Sequence, residues 1–313
     1  MEVTPIPLVS IVMPTYQGAA YLKETLAAVN SQEFAPGFEI VAIDSSSSDG
    51  TPKLLREAGA RVYSISQAEF GHGKTRNFGV REARGDIIVF LSQDALPVGR
   101  DWLQQLVEAV EDPRVGAAFA RQLPRPNATP LERYFHNSIY PAKGSVTRLR
   151  RGQTLSVSHV FFSNVCSAAR REVCLRFPFD ESVIMSEDQL FSRDLLQNGL
   201  SIVYAPQARV VHSHHYDLRA LFKRNFDSGY SLRLFPSEGA TKQAGRAISF
   251  LSREARYLAR EKQFGWLLYL PLYEFVRFFA LLSGTQAERL PMRARLACSL
   301  HTTYWKRTLP PEV

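Results

Sequence analysis

Four kinds of side-chain cluster in this 313-residue chain have the composition to do chemistry. His212-Ser213-His214 sets two imidazoles two residues apart. On an extended segment both rings share one face, and an aspartate from elsewhere would complete a metal site. Phe70-Gly71-His72-Gly73-Lys74-Thr75-Arg76-Asn77 places Lys74 and Arg76 among glycines, a composition suited to clamping a phosphate. Asp44, followed by four serines, Asp49, Gly50 and Thr51, offers a carboxylate to a pyrimidine N–H or a ribose hydroxyl. Ser186-Glu187-Asp188-Gln189 and Ser92-Gln93-Asp94 supply further carboxylates. Each segment also has a plain structural reading. The histidines can end a polar strand, the glycines can form a turn with solvated cations, and Asp49 or Asp94 can cap a helix. Ser186 with Gln189 fits a capping box whose acids suit the helix dipole. Zinc hydrolase chemistry lacks its His-Glu-x-x-His or paired-cysteine pattern.

The elements that must position these groups alternate in period. Val9–Pro14, Phe38–Ile43, Arg61–Ser66 and Ile87–Leu91 are short apolar runs read as strands. Between them, Ala20–Ser31 carries Leu22, Leu26 and Val29 at helical spacing. Thr51-Pro52 predicts an N-cap and N1 proline for a helix stopping at Gly59. Strands alternating with helices predict a mainly parallel sheet with ligands at the strands' carboxyl ends. Pro14-Thr15-Tyr16, Asp44 and Asp94 all fall there. Arg121–Pro130 reads as a proline-containing loop, and Thr129-Pro130-Leu131-Glu132 as a capping box. Lys143–Gln153 reads as a mobile basic loop and Ser156–Ser163 as strand-like. From Leu218 onward the chain is helical in character. Trp266–Leu282 is its most apolar stretch, but Pro271, Glu274 and Arg277 interrupt it, which predicts an interfacial or core helix and not a spanning one.

Composition narrows the class. At 45% hydrophobic residues the chain can build a sizeable core. Three cysteines without paired spacing suit a reducing compartment, and Met1–Leu8 lacks the pattern of a signal peptide, so a cytoplasmic protein is expected. Net charge is +8, and residues 216–313 carry all of the excess, with 16 basic and 8 acidic residues. That region is also rich in Leu, Phe, Tyr and Trp, which favours an anionic membrane surface over nucleic acid as its partner.

Taken in order, the segments resemble bacterial family-2 inverting glycosyltransferases, rhamnosyltransferase subgroup. Asp44, Asp49, Gly50 and Thr51 match the family's strand-Asp-Asp-Gly-Ser-x-Asp-Gly-Thr element, with departures at Ser45, Ser46 and Gln17. His72-Gly73-Lys74-Thr75-Arg76-Asn77 and Ser92-Gln93-Asp94-Ala95 look like the version found in users of dTDP-L-rhamnose. The resemblance implies a GT-A (Rossmann-like) α/β fold, a mostly parallel mixed sheet flanked by helices with a helical C-terminal extension. It implies a catalytic domain over 1–216 and a basic helical region over 217–313. Asp188 matches the catalytic base, with Glu187 as second candidate. Pro14, Thr15, Tyr16, Asp44, Lys74, Arg76, Asn77, Gln93 and Asp94 match the donor site. Asp94 with His212 or His214 would hold a divalent cation, Mg²⁺ or Mn²⁺. The reaction implied is transfer of L-rhamnose to a glycan or lipid-linked glycan acceptor in cell-surface polysaccharide synthesis. The alternatives are a UDP- or GDP-sugar transferase and a non-catalytic nucleotide-sugar or membrane-binding protein. An NAD-dependent oxidoreductase lacks Gly-x-Gly-x-x-Gly after the first strand.

Overall fold

The computed structural model describes residues 8–150, 152, 153, 155, 157–235 and 240–307. Its centre is one nine-stranded sheet. The strands are β1 (Val9–Thr15), β2 (Phe38–Asp44), β3 (Arg61–Ser64), β4 (Ile87–Leu91), β5 (Leu96–Val98), β6 (Val115–Leu123), β7 (Ser145–Thr147), β8 (Cys166–Arg170) and β9 (Ser201–Val211). They lie in the order β3-β2-β1-β4-β8-β6-β9-β5, with β7 on β9. β3, β2, β1 and β4 are parallel, as are β6 and β9, whereas β8 runs antiparallel between β4 and β6. The sheet is thus mixed and mostly parallel, as expected.

The described residues also form twelve α-helices, of which the first seven lie against the sheet: α1 (Ala19–Asn30), α2 (Thr51–Glu57), α3 (His72–Glu82), α4 (Trp102–Glu108), α5 (Pro130–Ile139), α6 (Arg171–Arg176), α7 (Glu187–Gln197), α8 (Leu218–Leu232), α9 (Ala240–Arg260), α10 (Phe264–Thr285), α11 (Met292–Cys298) and α12 (Thr302–Arg307). The continuous apolar runs of β1 and β4 are explained by cover on both faces. Ile11 and Met13 pack with Leu22, Leu55 and Trp102 on one side. Val12, one residue out of phase, packs with Val80, Leu190 and Phe191 on the other.

The helical C-terminal region is fastened onto this body. Ile184 and Met185, just before α7, pack with Phe226, Tyr230 and Trp305. Leu131 of α5 packs with Leu258 and Leu270. α8 and α10 cross where Gly229 faces Leu281 and Gly284 faces Phe226. A Cβ on either glycine would overlap the opposing backbone carbonyl, so the two helices touch backbone to backbone.

Several local expectations change. Thr51 is not the cap of α2: Gly50, at φ 90°, holds that position, and the Thr51 hydroxyl is spent on the Gly18 amide. Within Lys143–Gln153, Ser145–Thr147 pairs with β9 as a strand, because β9 has an open edge there. Val157–Ser163 is turn and irregular chain; its aromatic residues, Phe161 and Phe162, pack on Phe119 rather than in a ladder. Arg151 and Ser156 lie outside the described residues. α10 is one 22-residue helix that continues through Pro271, long and apolar enough to cross a membrane by length and composition alone.

Candidate active site

A cavity of about 630 Å³ opens at the carboxyl ends of β1 and β4. The body of the sheet supplies Tyr16, Asp94 and His212 to its wall, the α7 terminus supplies Asp188, and α8 and α10 close it with Arg224 and Arg277.

Asp188 is placed by an unusual turn. Ser186 precedes α7 in the left-handed region, at φ 65°, and makes no side-chain cap, so the expected capping box is absent. Holding a non-glycine residue there costs on the order of 1 kcal/mol. Gln17 and Ser46, in loops beside β1 and β2, adopt the same region. Asp188 accepts the amides of Gln189 at 2.9 Å and Asn164 at 3.3 Å. Burial first, then the neighbouring Glu187, raises its carboxyl to about 7. Glu187 turns inward instead. It is 4% exposed and pairs with Arg76 at 2.8 Å.

That pairing revises the expected phosphate clamp. Arg76 is committed to Glu187 and to the His72 carbonyl. Lys74 is exposed and does not line the cavity. Asn77 donates to the Phe179 carbonyl and to Glu181, and accepts the Phe179 amide. At Gly73 a Cβ would collide with the Asp180 carbonyl. The basic, glycine-bearing segment therefore ties α3 to the loop that leads into α7. Through Glu187 it abuts Asp188, and Arg76 itself still lines the cavity.

The strand-end residues also divide their labour. Pro14, Thr15 and Tyr16 line the cavity. Asp44 lies behind them, 1% exposed, with its carboxylate accepting from Thr15 Oγ1, Ser47 Oγ and the Ser47 amide. It shapes the serine loop and is not among the residues that line the cavity. Gln93 accepts the Tyr16 amide and donates to the Tyr16 carbonyl, both at 2.9 Å, which fixes the first loop against β4.

Asp94, His212 and His214 converge as the His-x-His pattern predicts. Asp94 Oδ2 lies 3.6 Å from His212 Nε2 and 3.4 Å from His214 Nε2, and the three donor atoms lie within 4.8 Å of one another. These spacings exceed a hydrogen bond and suit donors sharing a cation. His212 Nδ1 is held by Gln122 Oε1 at 3.0 Å, which aims Nε2 at Asp94. Burial pushes His212 down to about 3, so the ring is neutral, the form that ligates a metal. The residues fit a divalent cation.

Four contributors carry no sequence signal: Gln122 orients His212, Asn164 holds Asp188, Arg125 binds the Asp94 carbonyl, and Arg224 enters from α8. Among the described residues Arg224 has no carboxylate partner; its hydrogen bond is to Met185 Sδ. In the sequence it is one of 16 basic residues of the C-terminal region, and only the fold singles it out.

Comparison with known proteins agrees with this architecture. The description "Glycosyl transferase family 2" matches residues 10–176. The O-antigen chain rhamnosyltransferase RfbN of Salmonella typhimurium strain LT2 is 30% identical over 302 residues, covering 95% of this chain and 96% of the relative. WbaN of Salmonella anatum, also an O-antigen chain rhamnosyltransferase, is 30% identical over 305 residues, covering 96% of each. Among solved structures, mannosyltransferase PcManGT from Pyrobaculum calidifontis, in complex with GDP-Man and Mn²⁺, superposes with TM-score 0.61 at 19% identity, covering 91% of this chain and 88% of that one. S. aureus TarS 1–349 in complex with UDP gives 0.51 at 14% identity, covering 90% and 91%. At these identities the likeness is one of fold.

Proposed function

Because the chain belongs to glycosyl transferase family 2, and is therefore a glycosyltransferase on the GT-A fold, we propose that it transfers L-rhamnose from dTDP-L-rhamnose, with inversion, to a glycan acceptor in polysaccharide synthesis. The observation that carries the chemistry is Asp188, held by two backbone amides at the cavity wall with its carboxyl raised towards neutrality. A base with that affinity takes a proton effectively near pH 7. Ionised Asp188 removes the proton of an acceptor hydroxyl, and that oxygen attacks the anomeric carbon opposite the departing diphosphate. Glu187, paired with Arg76, positions Asp188. Arg224, a cation lining the cavity and without a carboxylate partner among the described residues, balances charge on the leaving diphosphate. Asp94, His212 and His214 would hold a divalent cation, which when bound supplies Lewis-acid stabilisation of that diphosphate. Two imidazoles in the donor set favour Mn²⁺ over Mg²⁺, which prefers oxygen. The resemblance of His72–Asn77 and Ser92–Ala95 supports the donor choice, as do relatives named rhamnosyltransferases. The test is a donor panel scored by nucleoside diphosphate release, with Mn²⁺, with Mg²⁺ and with EDTA. dTDP-L-rhamnose is expected to rank first, and a UDP or GDP sugar ranking first refutes the donor.

In this reading residues up to 216 form the catalytic domain, and 217–313 close it against a membrane on the cytoplasmic side. Phe264, Leu268, Leu272, Phe275, Phe279 and Leu282 form one exposed stripe along α10, recurring every three or four residues. α9, which contacts α10, exposes Arg253, Arg256 and Arg260. An apolar stripe with cations on the neighbouring helix suits an anionic bilayer lying parallel to the helix. Each basic residue near the surface adds roughly 1 kcal/mol. Glu274 and Arg277 pair with each other at 2.6 Å on another side of α10, so the stripe itself is free of charge. Flotation with anionic vesicles at low and high salt checks this. Leu268→Glu with Phe275→Glu should abolish binding, and no binding of the wild type at low salt refutes it.

A further inference from the structure

A second cavity, about 470 Å³, adjoins the first and shares Glu132, Tyr216 and Tyr273 with it. Its floor is aromatic. Trp266, Tyr269 and Tyr273 recur at i, i+3 and i+7 along α10 and therefore share a face. Ring centroids of Trp266 and Tyr269 are 5.8 Å apart, and those of Tyr269 and Tyr273 are 6.2 Å apart. The track runs about 10 Å along the helix axis. Opposite it stand polar groups: Glu132, His215 and Asp217. One Glu132 oxygen closes the α5 cap by accepting the Thr129 amide. The other, Oε1, is buried with no hydrogen-bond partner. Such an acceptor calls for a donor from outside the chain.

Half-buried rings facing carboxylate and imidazole groups match one ligand chemistry. A pyranose has an apolar C–H face that lies on a ring and equatorial hydroxyls that donate to carboxylates. A lipid tail would have no use for Glu132, His215 and Asp217, and those acids would repel a second phosphate. We propose that this groove is the acceptor subsite, holding one or two pyranose rings of the acceptor glycan so that its terminal hydroxyl reaches Asp188. The proposal rests on the transferase reading above. It gives α10 two faces with two tasks: Trp266, Tyr269 and Tyr273 hold sugar, while Phe264, Leu268 and Phe275 meet lipid. An acceptor carried on a membrane lipid would lie across this one helix.

Tryptophan emission reads the groove directly. Of the three tryptophans, Trp102 and Trp305 are buried in cores at 0% and 1% exposure, so ligand-dependent change reports Trp266. The full chain is titrated with methyl glycosides of rhamnose, mannose, galactose and N-acetylglucosamine, and with 1-octanol. At least one glycoside is expected to give a saturable change in the millimolar range. Tyr269→Leu, which keeps bulk and loses the ring, should weaken that binding at least fivefold. Tyr269→Phe should stay within twofold of wild type, and thermal melting of both variants reports their folding. The inference is overturned if no glycoside saturates, if Tyr269→Leu binds as wild type does, or if octanol saturates more tightly than every glycoside. Nucleoside diphosphate binding to the wild-type protein is measured alongside. Its absence would sink the transferase reading, while the glycoside titration still decides the groove.

Discussion

Asp188→Asn separates basicity from shape, and the structure sets the size of its effects. With its carboxyl raised to about 7, Asp188 is mostly protonated at pH 6 and mostly ionised at pH 8, so wild-type turnover should climb several-fold across that window. The asparagine variant should lose transfer by about 10²–10⁴-fold and lose this pH dependence. Its stability should move the other way. A carboxyl raised from 3.8 in the unfolded chain to about 7 in the folded one binds its proton more tightly when folded. The stability contribution is intact below pH 4, is lost progressively as pH rises, and reaches its full cost above pH 7, of order 2–4 kcal/mol. The variant carries no charge there, so at pH 8 it should be more stable than wild type, and at pH 4 the two should match. The assay pairs pH–rate profiles of nucleoside diphosphate release with urea denaturation at both pH values. Transfer at the wild-type rate would refute the base assignment. Equal stability at pH 8 would refute the claim that burial tunes it.

Three further outcomes follow from the same site. Glu187→Gln leaves Arg76 buried without its carboxylate and should cost about 3–5 kcal/mol by denaturant titration, so a loss under 1 kcal/mol removes its positioning role. Asp94→Ala should abolish stimulation by Mn²⁺, and undiminished wild-type activity in excess EDTA would end the metal assignment. Arg224→Ala should weaken nucleoside diphosphate binding about tenfold by calorimetry with little change in melting temperature, since no ion pair is lost; unchanged affinity would clear Arg224 of any part in holding the diphosphate.

β1 and β4 were legible because each is covered on both faces and so reads as an apolar run, as in Ile87–Leu91. The convergence of Asp94 with His212 and His214 was legible from strand ends and from the two-residue period of an extended chain. The pairing of Arg76 with Glu187 was not legible in His72–Asn77, because cations among glycines look alike whether they face a phosphate or a buried carboxylate. Val115–Leu123 gave no strand signal: its small residues, Ala117, Ala118 and Ala120, are neither branched nor aromatic. Ser186 misled as a cap because a left-handed residue and a capping residue share the same polar, small character. The aromatic groove was hidden inside the most apolar stretch, where Trp266, Tyr269 and Tyr273 differ from their exposed apolar neighbours in helical phase.

The cavity wall built by α8 and α10 also fixes when the enzyme becomes competent during synthesis. Arg277 emerges from the ribosome 89 residues behind Asp188, a delay of about 4–18 s at ordinary elongation rates. Phe226, Tyr230 and Leu270, the partners of Ile184, Met185 and Leu131, are added within that interval, so these residues are uncovered at its start. The nascent chain therefore passes through a sticky, inactive stage. α10, which completes the cavity wall with Arg277, is also the helix that bears the exposed Phe and Leu stripe, so the last wall of the pocket and the most apolar surface of the chain arrive together.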